Sequence, residues 1–323
     1  MKIEKVTLYG MGLIGAGWAT HLLIKGVKDI TAYDISEDAL ARGIRILGEN
    51  LDFMVSQEVI DQETRNAMIK SVKTTTDIAE AVKDADIIIE NSPELIEVKQ
   101  DVIVAIESAC RDDAIITTST SGLPISQIVA KAKRPERIMG AHPYHPVYLL
   151  PLLEMIRNAK TEDKYVDAAM AFFTSIDKKP VVLKKESDGY IGSHLMSTLL
   201  REAINLVITG VCTMEDVDTA FTFGPGMRYG LFGIFTTLQL TGGEKGIQGV
   251  FTGPMGKSGE KWLESFADWK KWPAEAREFM DHSQEEMNKL LANRDEFHGR
   301  DNAGLTRFRD QGLVKILKAH KLL

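Results

Sequence analysis

Six residues near the start of the chain constrain its fold most: Gly10-Met11-Gly12-Leu13-Ile14-Gly15. They lie between an apolar, strand-like run, Val6-Thr7-Leu8-Tyr9, and a helical stretch reaching to about Lys25. Glycines gather in turns for many reasons, so the spacing alone says little. A strand directly before it and a helix directly after it are what a dinucleotide loop requires. Gly10 permits the tight turn, Gly12 lets the backbone approach a pyrophosphate, and Gly15 lets the helix pack on the strand. The helix start then offers unpaired N–H groups and a positive dipole end to the phosphates. Asp34 closes the next strand-like run, Ile30-Thr31-Ala32-Tyr33, at roughly the 20-residue distance expected of a ribose-binding carboxylate. Such a group accepts hydrogen bonds from the ribose hydroxyls and repels a 2′-phosphate. Ile35 and Ser36 follow it with no arginine immediately beside, so loop and acid together predict NAD rather than NADP.

The rest of the first half repeats this alternation. Ala85-Asp86-Ile87-Ile88-Ile89 and Ala114-Ile115-Ile116-Thr117 read as buried strands, and residues 78–83 and 96–109 carry apolar positions at three- and four-residue spacing. Strand–helix alternation calls for a parallel sheet covered on both faces, with residues 152–156 and 180–183 as further strands. After about Lys185 the β-branched runs give way to helical patterns over residues 191–209, 214–223, 285–291 and 313–317. Thr213-Met214-Glu215-Asp216, close to a capping box, opens the second of these. The expectation is an α/β, Rossmann-type doubly wound domain over residues 1–186, followed by a smaller all-helical domain over 187–323, the boundary falling near Ser187-Asp188-Gly189. A length of 323 residues fits two domains.

Composition narrows the partners. A net charge of −7, with no basic block anywhere, argues against nucleic acid or an anionic membrane. No apolar run is long enough to cross a bilayer, and the N-terminus enters the first strand without room for a signal peptide. Cys110 and Cys212, far apart and outside metal-ligand spacing, read as buried reduced thiols. These features predict a cytoplasmic enzyme with no metal.

An enzyme that moves a hydride from an alcohol needs a base for the hydroxyl proton, and histidine suits neutral pH. Ala141-His142-Pro143-Tyr144-His145-Pro146 follows the strand-like residues 137–140, which puts it at the carboxyl edge of the sheet, where ligands bind in such folds. Glu154 interrupts the apolar run Leu152-Leu153-Glu154-Met155-Ile156, and a buried carboxylate wants a partner. Pairing with an imidazole N–H would satisfy it and fix the ring tautomer, although a histidine among prolines can equally be a plain loop residue.

Together these residues resemble the 3-hydroxyacyl-CoA dehydrogenase family, from about Val6 to at least Gly249. The family's Ser-rich turn, His-x-x-Asn-Pro turn and downstream Glu correspond here to Ser119-Thr120-Ser121-Gly122-Leu123-Pro124-Ile125, to His142-Pro143-Tyr144-His145-Pro146 and to Glu154. The resemblance implies that His142 is the base, that Glu154 orients it and that Ser121 hydrogen-bonds the substrate oxygen. It also implies that Glu90 and Lys99 line the cofactor site, that Ser119 lies near the nicotinamide, and that the helical half forms a homodimer. Two positions depart from the family pattern: His145 stands where it has asparagine, and Ser193 replaces a second asparagine expected after Gly189-Tyr190-Ile191-Gly192.

A narrower likeness points to the carnitine dehydrogenase branch and its gulonate dehydrogenase/lambda-crystallin cousins. It is carried by Ser92-Pro93-Glu94, by residues 146–152, by Gly226-Met227-Arg228-Tyr229, by residues 240–246 and by residues 305–310. Residues 39–55 lack the lysine-rich face that CoA enzymes turn to CoA phosphates. The implied reaction is NAD-dependent oxidation of a small 3-hydroxy acid, L-carnitine first. 3-Hydroxyacyl-CoA, L-gulonate and a crystallin-like nucleotide-binding role are the alternatives. On this reading Arg228 clamps a carboxylate, and Tyr144, Tyr190 and Phe232 form an aromatic wall for an onium group, with His145 and Ser193 beside the substrate. An inter-domain or dimer salt bridge for Arg228, and plain core packing for the aromatics, are the blander readings.

Overall fold

A computed structural model describes residues 2–187 and 189–323; Met1 and Asp188, the latter at the expected domain boundary, lie outside the described residues. The chain divides into two compact units, residues 1–191 and 192–323.

The first unit is built on one eight-stranded sheet. Its strands are β1 (Lys5–Tyr9), β2 (Asp29–Tyr33), β3 (Lys73–Thr75), β4 (Ile87–Glu90), β5 (Ile115–Thr118), β6 (Ile138–Pro143), β7 (Leu152–Arg157) and β8 (Lys179–Leu183). Their order is β3-β2-β1-β4-β5-β6-β7-β8. The chain order reverses between β1 and β4, the switch point at which ligands bind outside the carboxyl ends of strands in open α/β sheets. The helices that cross between strands are α1 (Leu13–Ile24), α2 (Glu37–Ser56), α3 (Gln62–Ser71), α4 (Ile78–Val82), α5 (Ile96–Ala109), α6 (Ile125–Ile128) and α7 (Asp163–Ser175). Two hydrophobic clusters fill the space between sheet and helices. One centres on Leu8, Trp18, Leu22, Leu47 and Phe173, the other on Ile88, Ile106, Ile116, Ile138 and Tyr190.

The sheet is not wholly parallel. β7 runs antiparallel to β6, while β8 runs parallel to β7. Residues 144–151 are too few for a crossover helix, so the chain can only turn back beside β6. In the resulting register His142 lies directly opposite Glu154.

The second unit is helical throughout its described residues: α8 (Ile191–Ile208), α9 (Met214–Phe223), α10 (Pro225–Tyr229), α11 (Ile234–Thr241), α12 (Gly246–Thr252), α13 (Pro254–Leu263), α14 (Ala274–Asn293) and α15 (Asn302–Ala319). Thr213 and Asp216 form a reciprocal capping box at α9. The two last helices are far longer than the expected 285–291 and 313–317, because their polar outer turns hide the period at which few residues are buried. Cys110 and Cys212 are unpaired as expected, but half-buried rather than buried. No helix among the described residues is long and apolar enough to cross a membrane.

Candidate active site

The glycine loop closes as its residue types require. Gly10 adopts φ +90° and its N–H donates to the Tyr33 carbonyl at 2.8 Å, tying the end of β1 to the end of β2. A Cβ on Gly15 would collide with the Gly10 carbonyl oxygen, so only glycine allows α1 to start this close to the loop. At Gly12 a Cβ would meet nothing within 4 Å, so the backbone there faces open space. Met11 and Leu13 flank it; Leu13 opens α1, and after Ile14 the helix is buried from Gly15 to Leu23.

That open space belongs to a cavity of about 470 Å³ walled by Gly10, Met11, Gly12, Asp34, Asn91 and Pro93. The Asp34 carboxylate accepts the Met11 N–H and the Ile35 N–H, each at 2.8 Å. The residues present therefore fit NAD: an exposed backbone face at Gly12 for the pyrophosphate, and a fixed carboxylate at the β2 edge for the ribose. The same cavity is lined by Arg42 and Arg45. Sequence reading found no arginine immediately beside Asp34; helix α2 brings these two to the wall of the same cavity from eight and eleven positions further on.

Glu90 and Lys99 form a buried ion pair at the end of β4. Their side chains are 0 and 1 % exposed and pair at 3.1 Å behind the cavity wall, not on its surface. Lys99 also donates to the Ser92 carbonyl, and Glu90 accepts the Ser92 N–H. A buried ion pair with its remaining valences filled in this way fixes the turn at 91–94.

That turn supplies Asn91, which sequence reading did not single out, and Glu94, which it quoted only for the likeness and gave no role. Asn91 Oδ1 accepts the Ser119 hydroxyl at 2.8 Å, and the Trp18 indole N–H reaches Ser119 Oγ at 3.4 Å. Glu94 Oε1 accepts the Thr120 hydroxyl at 2.6 Å, the Ser121 N–H at 2.7 Å and the Ser121 hydroxyl at 3.1 Å. With its proton directed at Glu94, Ser121 Oγ offers its lone pairs to other donors. Burial raises the Glu94 carboxyl, but the Thr120 and Ser121 hydrogen bonds and the Lys99 charge outweigh it and hold it below the usual carboxylate range. The available signal was an acid after proline at the carboxyl end of a buried strand.

On the neighbouring strand, His142 Nδ1 meets Glu154 Oε2 at 2.9 Å, with side chains 12 and 0 % exposed. A carboxylate at Nδ1 fixes the tautomer and leaves Nε2 as the nitrogen for a reacting hydroxyl. The rings of Tyr144 and Tyr190 pack at 5.2 and 5.4 Å from the imidazole. Tyr190, expected to face substrate, is 1 % exposed in the core, and its hydroxyl donates to the Leu123 carbonyl at 3.3 Å. It buttresses the histidine from inside. Burial, then the Glu94 charge, push its phenol above the ordinary range, so it remains a protonated donor.

The structure thus brings the glycine loop, Asp34, Ser119, Ser121, His142, Glu154 and Tyr144 to the carboxyl edge of one sheet, with His145 exposed beyond them. Ser193, Arg228 and Phe232 lie on the second unit: Ser193 half-buried early in α8, Arg228 exposed in α10, and Phe232 46 % exposed just after it.

Comparison with known proteins agrees with the fold. Residues 5–187 match the NAD binding domain of 3-hydroxyacyl-CoA dehydrogenase, and residues 189–281 match its C-terminal domain. An L-carnitine dehydrogenase of Bacillus cereus is 38% identical over 76% of this chain and 74% of its own length. One of Oceanobacillus iheyensis is 34% identical over 98% of this chain and 97% of its own. A solved structure of 5-formyl-3-hydroxy-2-methylpyridine 4-carboxylic acid 5-dehydrogenase, an NAD+ dependent dismutase, is 25% identical with a TM-score of 0.78, covering 99% of this chain and 98% of that one. The chain belongs to the 3-hydroxyacyl-CoA dehydrogenase family and is an NAD-dependent oxidoreductase acting on a CH–OH group.

Proposed function

We propose that the chain oxidises a small 3-hydroxy acid to the 3-oxo acid, with L-carnitine, giving 3-dehydrocarnitine, as the substrate. The observation that carries the chemistry is the imidazole held through Nδ1 by a fully buried carboxylate, with a tyrosine ring against it. His142 Nε2 takes the proton of the secondary hydroxyl as the C–H bond breaks, and Glu154 stabilises the imidazolium that forms. Ser121 Oγ, turning its proton from Glu94 to the substrate oxygen, holds that oxygen in line with that nitrogen. NAD, bound at the glycine loop, supplies the hydride acceptor. The likeness to L-carnitine dehydrogenases supports the choice of substrate.

Carnitine carries a carboxylate at one end and a trimethylammonium at the other. An onium group forms no strong hydrogen bonds, so an aromatic face such as Tyr144, beside the imidazole and worth roughly 0.5–2 kcal/mol, is our candidate to hold it. Arg228 is our candidate clamp for the carboxylate. Because a hydrogen bond to a charged group contributes about 1.5–3 kcal/mol, Arg228→Ala is expected to raise KM more than tenfold. The deciding measurement compares kcat/KM for L-carnitine, L-gulonate, 3-hydroxybutyrate and 3-hydroxybutyryl-CoA at one NAD concentration. The highest value for the CoA ester would replace the carnitine reading with the acyl-CoA one.

We further infer a homodimer formed through the helical half. Phe223, Met227, Phe235, Leu240, Phe251 and Leu263 are 64–74 % exposed, more apolar surface than a monomer usually leaves in water. Light scattering should return about twice the chain mass of 35.9 kDa. A monomer mass would remove this reading and leave the chemistry untouched.

A further inference from the structure

The cavity beside the glycine loop carries a charge pattern that its NAD role does not use. The ionisable side chains lining it are Asp34, Arg42, Arg45 and the phenols of Tyr9 and Tyr33. Arg42 and Arg45 stand three residues apart on α2 and so share a face of that helix. The helix cannot drift from the loop, because Gly43 packs against the Met11 carbonyl where any Cβ would collide. Glu37 and Asp38, in the first turn of the same helix, are exposed and do not line the cavity. Asp34 has both carboxylate oxygens engaged by backbone N–H groups, which fixes its negative charge at the ribose end.

We propose that Asp34 alone rejects a 2′-phosphate, and that Arg42 and Arg45 form a latent phosphate site beside it. With Asp34 ionised the three charged groups sum to +1; with its charge removed the cavity carries +2 and no anion. Guanidinium forks bind phosphate oxygens bidentately, so two of them on a fixed helix face meet the requirement for a 2′-phosphate. The coenzyme preference of this chain then rests on one side chain, and losing that charge reverses it.

The test is calorimetric binding of ADP-ribose and 2′-phospho-ADP-ribose, which reads the adenosine end without catalysis. Asp34→Asn removes the charge and keeps an oxygen for the Met11 N–H. It should raise affinity for the 2′-phosphorylated ligand at least tenfold, the scale of one charged hydrogen bond, while weakening ADP-ribose. Adding Arg42→Ala and Arg45→Ala in that background should abolish the gain. With Asp34 intact, the same pair of arginine substitutions should weaken 2′-phospho-ADP-ribose at least tenfold more than ADP-ribose. This second comparison decides the matter if Asp34→Asn does not fold. No gain from Asp34→Asn, a gain that survives loss of both arginines, or equal weakening of the two ligands in the native background overturns the proposal.

Discussion

His142→Gln is expected to lower kcat by roughly 10²–10⁴-fold, the range of general acid–base catalysis, with NAD affinity nearly unchanged. The substitution is chosen for its geometry. A glutamine amide can still donate to Glu154, whose side chain is fully buried and would otherwise be left as an unpaired charge. What it removes is a basic nitrogen where Nε2 stood. NAD affinity should hold because His142 is not among the residues lining the coenzyme cavity. Glu154→Gln should cost less, since the base remains while the anion that stabilises its protonated form is lost. Steady-state kinetics with a parallel fluorescence titration of NADH separates the two effects. If His142→Gln keeps near-full activity, the base lies elsewhere, and His145, three residues on and exposed, becomes the next candidate.

Much of this site was legible because its residue types are improbable where they occur. Glycines at 10, 12 and 15 between a strand and a helix, an acid ending the second strand, and Glu154 within an apolar run each conflict with their local pattern unless a ligand or partner is present. The period of a strand does not state its direction, however. That β7 reverses against β6, setting Glu154 opposite His142, follows from the short connection between them and was not visible in either strand alone. Other neighbours in the structure were equally hidden. Glu90 and Lys99 lie nine residues apart on a strand and the helix after it, and only the fold shows them facing each other under the 91–94 turn. Arg42 and Arg45 come to line the same cavity as Asp34 through α2, and Tyr190 is buried with its hydroxyl on the Leu123 carbonyl. Sequence distance measures none of these.

The largest expected effect on stability concerns a group outside the reaction. Lys178 is fully buried; its ammonium donates to the Val147 carbonyl and, at 3.0 Å, to that of Leu150, and sits 5.0 Å from the Trp18 ring centroid. Among the described residues it forms no ion pair, and the nearby Lys25 is itself paired with Asp177 at 2.9 Å. Burial, with a smaller contribution from the Lys25 charge, pushes its pKa down to about 7 from 10.5. The unfolded chain therefore binds one more proton than the native one between pH 7 and 10.5. Stability contributed by this group is present above 10.5 and lost as the pH falls through 7. At about 1.4 kcal/mol per pH unit, less near pH 7 where the native lysine is itself half protonated, the wild-type protein should gain about 2 kcal/mol relative to Lys178→Met between pH 7 and pH 9. Other groups titrate alike in both proteins and cancel. His21, buried beside Lys178 and held well below the usual imidazole range by that burial and by the Lys178 charge, titrates at lower pH and stays out of this window. Lys178→Met also leaves two carbonyls without their donor, so it should be the less stable protein at pH 9, and the gap should narrow or close at pH 7. Urea unfolding of both proteins at the two pH values measures the difference directly. A gap of the same size at both would mean that Lys178 keeps its proton inside the fold, and that the two carbonyls and the indole face suffice to hold a full charge.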